Sequence, residues 1–285
     1  STDSAAADLL GTETWSALMR GIGREDDVAK AEGSLADKML SEWVRSHLLP
    51  KPKREAPSAP PPSVGVGTVL CTAVAPSTGR PADRCLLREQ FLHKAILLVL
   101  AEATDGTLSA CVLNRPTSTI AQFKSVLGSP KRRVGYTGSR EIGGLLWLHH
   151  RSDLGAAAGM PVGESGAYVL QEAEASSLLK AGTLNASDVF VVSSVVQFSR
   201  AELSGMLAAG EARPVSARPQ LESLWPRVWG LMEANGLDAG DGTGVWWLAS
   251  QAGAEQPGSA QALAALPTSE LADEALAEWT KFFAN

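Results

Sequence analysis

The sequence predicts a fold that combines α-helices with β-strands. Residues before position 50 place apolar side chains at helical spacing. After position 64, short apolar runs bounded by glycine and proline predict strands, and helical segments lie between the later runs. These three observations indicate a sheet with helices packed around it.

Composition and charge exclude several classes of protein. The chain has 285 residues, of which 45% are apolar and 20% charged, as is ordinary for a globular protein. No apolar run approaches the roughly 20 residues that a transmembrane helix needs. The formal net charge of −6 argues against nucleic-acid binding, because such proteins usually carry a basic surplus.

A proline-rich stretch marks the clearest domain boundary. Residues 50–63 contain six prolines, which forbid a helix and favour an extended path. We therefore expect an N-terminal helical extension over 1–49, a linker over 50–63 and a core domain over 64–235. The remaining residues, 236–285, predict a C-terminal extension with a loop and a helix.

Within the core, turn and capping residues delimit the predicted elements. Asp105-Gly106 predicts a hairpin, since glycine accepts the positive φ of a tight turn. Ser199 and Glu202 form a capping box that opens a helix. The predicted strands cover 67–74, 94–100, 108–114, 145–149, 167–170 and 189–196. The predicted helices cover 172–181, 199–210, 223–235 with Pro226 in its first turn, and 269–283.

No complete catalytic or metal-binding motif is present. The chain lacks a nucleophile elbow, a dinucleotide fingerprint and a phosphate-binding loop. The three cysteines, Cys71, Cys85 and Cys111, form no C-x-x-C pair, which favours buried thiols and a reducing compartment. His149 and His150 would point to opposite faces of a strand, so they are poorly placed to share a metal. We expect no cofactor, and the sequence favours a non-enzymatic function without deciding against an enzyme.

Two basic clusters permit two interpretations. Lys51, Lys53 and Arg54 form the first cluster, and residues 131–133 form the second. Each could be a solvated loop. Each could instead contact an anionic lipid surface or an acidic partner.

Two segments resemble each other. Residues 34–43 and 270–279 share Leu, Ala, Asp, Leu, Glu and Trp in the same order. Leu35 and Trp43 fall on one helical stripe, as do Leu271 and Trp279. The two segments are either unrelated amphipathic helices with Trp on the core face, or two docking helices that flank the core domain and recognise similar surfaces.

Several motifs from Gly67 onward resemble the AlgH-like family over about residues 64–235. The most specific is Val112-Leu-Asn-Arg-Pro116, which is similar to the family's signature. Gly67-Thr-Val-Leu-Cys-Thr-Ala, residues 91–100 and Asp105-Gly106 follow the family's order. Thr137-Gly138-Ser139 departs from the Gly-Gly-Pro of relatives, so a function carried by that glycine-rich surface is in doubt here.

The resemblance implies an α+β fold, in which a mixed, branched β-sheet with a small barrel is surrounded by helices. It implies no catalytic mechanism. Because the family includes plastid members, it suggests a chloroplast protein, either soluble or peripheral to the thylakoid membrane.

The signature residues have a structural and a functional interpretation. Asn114 can bond neighbouring backbone groups at a strand end, and Arg115 can anchor a loop carboxylate. Alternatively, Asn114, Arg115 and His149 could line a ligand pocket at the sheet end.

We expect an interaction or scaffold protein, a peripheral subunit of a larger photosynthetic membrane complex such as a photosystem. The alternatives are a small-ligand-binding protein or enzyme, and a soluble regulator. The predicted partner-binding residues come from the two similar segments and the first basic cluster: Leu35, Trp43, Leu271, Trp279, Lys51, Lys53 and Arg54.

Overall fold

The computed structural model describes eight stretches of the chain. They are residues 64–73, 87–123, 131–136, 140–154, 159–215, 218–233, 242–251 and 270–283. All the elements below lie in these ranges.

Ten strands form the sheet of the described chain. In order they are β1 (Val69–Thr72), β2 (Ala95–Glu102), β3 (Thr107–Val112), β4 (Pro116–Gln122), β5 (Lys131–Gly135), β6 (Arg140–His149), β7 (Met160–Pro161), β8 (Tyr168–Leu170), β9 (Val189–Ser199) and β10 (Ala212–Pro214).

Five α-helices and two 3-10 turns accompany the strands. The helices are α1 (Glu172–Lys180), α2 (Arg200–Ala208), α3 (Arg218–Gly230), α4 (Thr243–Gln251) and α5 (Glu270–Phe283). The 3-10 turns cover Leu87–Leu92 and Ala186–Asp188.

The sheet is mixed and branched at β9. Along the main path the strand order is β10-β1-β2-β3-β9-β6-β8-β7. The second half of β9 pairs antiparallel with β3, its first half pairs parallel with β5, and β6 pairs antiparallel along it. The predicted α+β class is confirmed, while the small barrel stays a prediction.

The core lies on both sides of this sheet. One apolar cluster contains inward residues of β1–β3 and β9 together with three tryptophans, Trp225 and Trp229 of α3 and Trp246 of α4. A second cluster joins the other side of β2 and β3 to Leu276 and Trp279 of α5. The two helices of the predicted C-terminal extension therefore pack on the core sheet.

Two local predictions are wrong. Helix α3 begins at Arg218, earlier than predicted, so Pro226 lies inside the helix and not in its first turn. Residues 131–133 lie on β5 and Arg132 is buried, so the interpretation of this cluster as a solvated loop is wrong, while its contact with an anionic surface or an acidic partner stays a prediction. Arg132 donates to the carbonyls of Val189 and Trp229, at 3.1 and 2.6 Å, which explains how its charge is accommodated.

Candidate functional site

Asn114 ties three parts of the fold together. Its side chain is buried just beyond the end of β3. Oδ1 accepts from the Ile96 amide at 2.8 Å, while Nδ2 donates to the carbonyls of Lys94 at 2.9 Å and Gly242 at 3.0 Å. The amide group thus fastens the start of β2 and the residue before α4 to the end of β3.

Arg115 completes this clamp from the adjacent position. Arg115 is 1% exposed, and its guanidinium donates to three carbonyls. Nη1 donates to the backbone carbonyl of Asn114 at 3.0 Å. Nη2 donates to the backbone carbonyls of His93 at 2.5 Å and Lys94 at 3.0 Å. The planar fork of arginine suits two carbonyls presented side by side.

The turn that the clamp holds is strained. Lys94 has φ +50°, and it is the only described residue other than glycine with positive φ. Such a conformation costs about 1–3 kcal/mol and persists only where its surroundings fix it. Asn114 and Arg115 fix it by bonding the two carbonyls that this turn exposes.

Side chains of the same turn bind helix α5. His93 Nε2 lies 2.8 Å from Asp273 Oδ1, and Lys94 Nζ lies 2.6 Å from the same oxygen. The Lys94 ammonium also lies 5.8 Å from the centre of the Trp246 ring in α4. The turn therefore joins the sheet, α4 and α5.

Burial decides the charge of His93. Desolvation lowers its pKa below 6.5, and this effect outweighs the opposing hydrogen bond and charge of Asp273. Burial alone would raise the pKa of Asp273, but the bonds from His93 and Lys94 bring it below its usual value. A neutral His93 beside an ionised Asp273 follows at neutral pH.

The arrangement is better suited to holding a helix than to catalysis. A histidine oriented by a carboxylate can serve as a general base when its other nitrogen reaches a substrate. The His93 side chain is fully buried, and its Nδ1 has no hydrogen-bond partner in the described part of the chain. With α5 docked, this nitrogen is therefore shielded from solvent.

The low pKa of His93 predicts acid sensitivity. Below pH 6.5 the unfolded chain takes up a proton at this position before the folded chain does, so stability falls as the pH drops. We expect His93→Gln to remove up to about 1.4 kcal/mol per pH unit from the slope of unfolding free energy against pH. Urea titrations from pH 7 to 5 measure this slope. His150, whose pKa is also lowered by burial, keeps its contribution in both proteins. An unchanged slope would contradict the assignment.

His149 lies apart from the clamp. It ends β6, and in the strand order β9 separates β6 from the strand that Asn114 and Arg115 follow. Its buried ring stacks on Tyr168 at 5.2 Å, and Nδ1 accepts from the Arg151 amide at 3.1 Å. The structure therefore brings together two of the three predicted ligand-binding residues, and the ligand role stays a prediction.

The predicted partner-binding residues have different positions. Trp279 is 1% exposed and packs edge-on against Tyr136, with the ring centres 4.9 Å apart. Leu271 belongs to the first turn of α5. With α5 docked, the Trp279 indole is therefore not at the surface. The remaining predicted residues lie outside the described chain: Leu35, Trp43, Lys51, Lys53 and Arg54.

Sequence reasoning missed helix α4 and its exposed side chains. Trp246 points inward and donates to the Thr72 carbonyl at 2.9 Å, whereas Trp247 is 54% exposed and Leu248 is 45% exposed. We call Trp247 and Leu248 the α4 patch. The Trp-Trp-Leu sequence was the available signal, because consecutive apolar residues on a helix cannot all face the core.

The described cysteines are buried, and the described residues form no metal-binding cluster. Cys71 and Cys111 are buried free thiols, and burial raises the pKa of each to about 12. No group of three or more metal-ligating side chains occurs among the residues that the structure describes. Within those ranges, too, no helix has the length and apolar character needed to cross a bilayer.

Neither a scan against protein-family models nor a search of the curated proteins finds a match for this chain. The resemblance to the AlgH-like family therefore stays a prediction that rests on the motif residues.

Proposed function

We propose that the protein is a non-catalytic interaction protein that docks on a larger protein assembly through the α4 patch. The observation that carries this proposal is the exposure of Trp247 and Leu248 side by side on a helix that is otherwise anchored in the core. Tryptophan exposed by more than half is unusual, and contiguous exposed apolar side chains mark interaction sites.

The chemistry of α4 favours an apolar protein surface as the partner. Residues 243–251 carry no charged side chain, so an anionic lipid or nucleic acid would find no cation on this helix. Tryptophan is enriched among the residues that dominate binding energy at protein interfaces. The anchoring of Trp246 also supports docking, because a rigid helix loses little entropy on binding.

The AlgH-like motifs support a more specific version of the proposal. Since the family includes plastid members, we propose that the assembly is a photosynthetic membrane complex and that this chain is its peripheral subunit. The engagement of Asn114 and Arg115 in backbone hydrogen bonds favours this function over ligand binding.

Native size fractionation of gently solubilised extracts tests the proposal. We expect the wild-type chain to migrate well above its own 29.8 kDa and to stay there after a salt wash, since the contact is apolar. Replacing Trp247 and Leu248 with serine should weaken the association by about 30-fold.

Met160 offers a matched control. It is 65% exposed on β7, at the opposite end of the strand order from the strands that α4 packs on. Met160→Ser should leave the association intact. A wild-type chain that migrates alone near 30 kDa in the soluble fraction would overturn the proposal and favour a soluble regulator.

A further inference from the structure

Helix α5 binds the core through a small set of positions. Ala272, Ala275, Leu276 and Trp279 are buried at helical spacing, and Asp273 bonds His93 and Lys94. We call the surface that receives them the α5 groove. It contains the 3-10 turn Leu87–Leu92, including Phe91, whose ring centre is 6.1 Å from that of Trp279.

Residues 34–43 repeat this set of contact positions. In the alignment of 34–43 with 270–279, four of the five contact residues recur unchanged, as Ala36, Asp37, Leu40 and Trp43. The fifth, Ala275, corresponds to Met39.

Apart from position 275, the two segments differ only at positions that are exposed in α5. Besides Ala275, three aligned positions differ, and all three are exposed in α5: Glu270, Glu274 and Ala277. Two unrelated amphipathic helices would share their apolar spacing. A first-turn aspartate stabilises the N-terminus of any helix, so Asp37 supports the comparison only because it coincides with the aspartate that pairs with His93 and Lys94 and recurs together with the buried Ala, Leu and Trp.

We propose that residues 34–43 of the same chain are an alternative occupant of the α5 groove. In this exchange Trp43 takes the place of Trp279, and Asp37 takes the place of Asp273 beside Lys94. Helix α5 is then released with its apolar face available to a partner.

The connection between the segment and the groove is long enough for this exchange. Twenty residues, 44–63, separate Trp43 from Val64, and they can span about 66 Å when extended. Val64 is buried in the same apolar cluster as Leu276 and Trp279. Its carbonyl accepts from Arg200, which pairs with Glu102 at the end of β2 away from Lys94. The eight residues of β2 cover about 26 Å, so the tether is long enough to reach the groove and gives the segment a high effective concentration there.

One difference between the two segments, Ala275 against Met39, favours α5 as the usual occupant of the groove. Ala275 is completely buried, and Met39 would bring a larger side chain to that position. Methionine adapts its shape to irregular gaps, so the fit is weakened and not abolished. We infer that the segment enters the groove when α5 is weakened or bound elsewhere.

Zero-length carbodiimide cross-linking of the full chain tests the exchange directly, because it joins an amine to a carboxylate that touches it. In the wild-type protein the main product should link Lys94 to Asp273, because Lys94 Nζ lies 2.6 Å from Asp273 Oδ1. In Trp279→Ala the ratio of Lys94–Asp37 product to Lys94–Asp273 product should rise by about 100-fold. Peptide mass spectrometry identifies both products.

Further variants separate the exchange from a general loss of structure. Asp273→Asn leaves the buried face of α5 intact and should also yield the Lys94–Asp37 product. Adding Trp43→Ala to Trp279→Ala should remove that product. Glu278→Ala removes a surface ion pair with Lys281 and none of the five contact residues, so it should leave the wild-type pattern unchanged.

Two results would overturn the proposal. The first is the absence of a Lys94–Asp37 product in both Trp279→Ala and Asp273→Asn. The second is a product found only in cross-linked dimers, which would show that the segment comes from another copy. A positive result here does not depend on the α4 patch, so this test and the fractionation test can fail separately.

Discussion

Replacing Asn114 with alanine will lower the free energy of unfolding by about 4 kcal/mol. The change removes two buried hydrogen bonds and one that is partly buried, and it leaves the Ile96 amide and the Lys94 and Gly242 carbonyls without this partner. Each such buried group costs about 1–3 kcal/mol, and the strained Lys94 turn also loses support. Urea denaturation at pH 7 measures the effect.

A neighbouring exposed position provides the control for Asn114. Thr119→Ala, on the exposed face of β4, should change stability by less than about 0.5 kcal/mol. If Asn114 served mainly to bind a ligand, its alanine variant would keep its stability and lose only a ligand-induced shift. A loss below about 1 kcal/mol would therefore contradict the clamp.

Replacing Arg132 with methionine will lower the free energy of unfolding by about 3 kcal/mol. Methionine keeps much of the apolar stem but removes the guanidinium that donates to the Val189, Ser187 and Trp229 carbonyls. These carbonyls belong to β9, the second 3-10 turn and α3. Arg132 therefore joins β5 to the branch point of the sheet and to the helix beside it.

A variant of the adjacent residue Lys131 distinguishes the loss of the Arg132 hydrogen bonds from the loss of a positive charge. Lys131 is exposed on the same strand, so Lys131→Met removes one positive charge without removing a buried hydrogen bond. We expect it to change the unfolding free energy by less than about 0.5 kcal/mol, measured by urea denaturation beside Arg132→Met. Equal losses in the two variants would refute the structural role of Arg132.

Elements with a local signal were predictable from the sequence. Asp105-Gly106 forms the predicted hairpin, with Gly106 at φ +81°. Ser199 Oγ accepts from the Glu202 amide at 3.1 Å, as the capping box predicts. These signals work because the residues that fix the turn or the cap are neighbours in sequence.

Features that depend on distant residues were not predictable in the same way. From the sequence alone, Arg132 is expected to be an exposed charged residue. Its burial depends on the carbonyls of residues 187, 189 and 229, which are distant in sequence. His93 and Asp273 are 180 residues apart in the sequence, so no local sequence pattern predicts their contact. The branch at β9 arises because one long strand pairs with β3 and β5 on the same edge.

The clamp gives a physical reason for the signature-like Val112–Pro116. Asparagine supplies both a donor and an acceptor in one short side chain, and arginine supplies a fork of donors. Together they satisfy the carbonyls of the strained turn, and that turn presents His93 and Lys94 to α5. The motif therefore supports helix docking even though it lies inside the fold.

Docking of the α4 patch on another protein is tested most directly with a photo-activated cross-linker at Gln251, which is exposed on α4 one helical turn after Trp247 and leaves the patch intact. The variant is studied as the full chain in its native extract, with position 160 as the control. Docking predicts that position 251 joins the chain to a different protein and that position 160 does not. Recovery of only the free 29.8 kDa chain, or of a pair of identical chains, would contradict it.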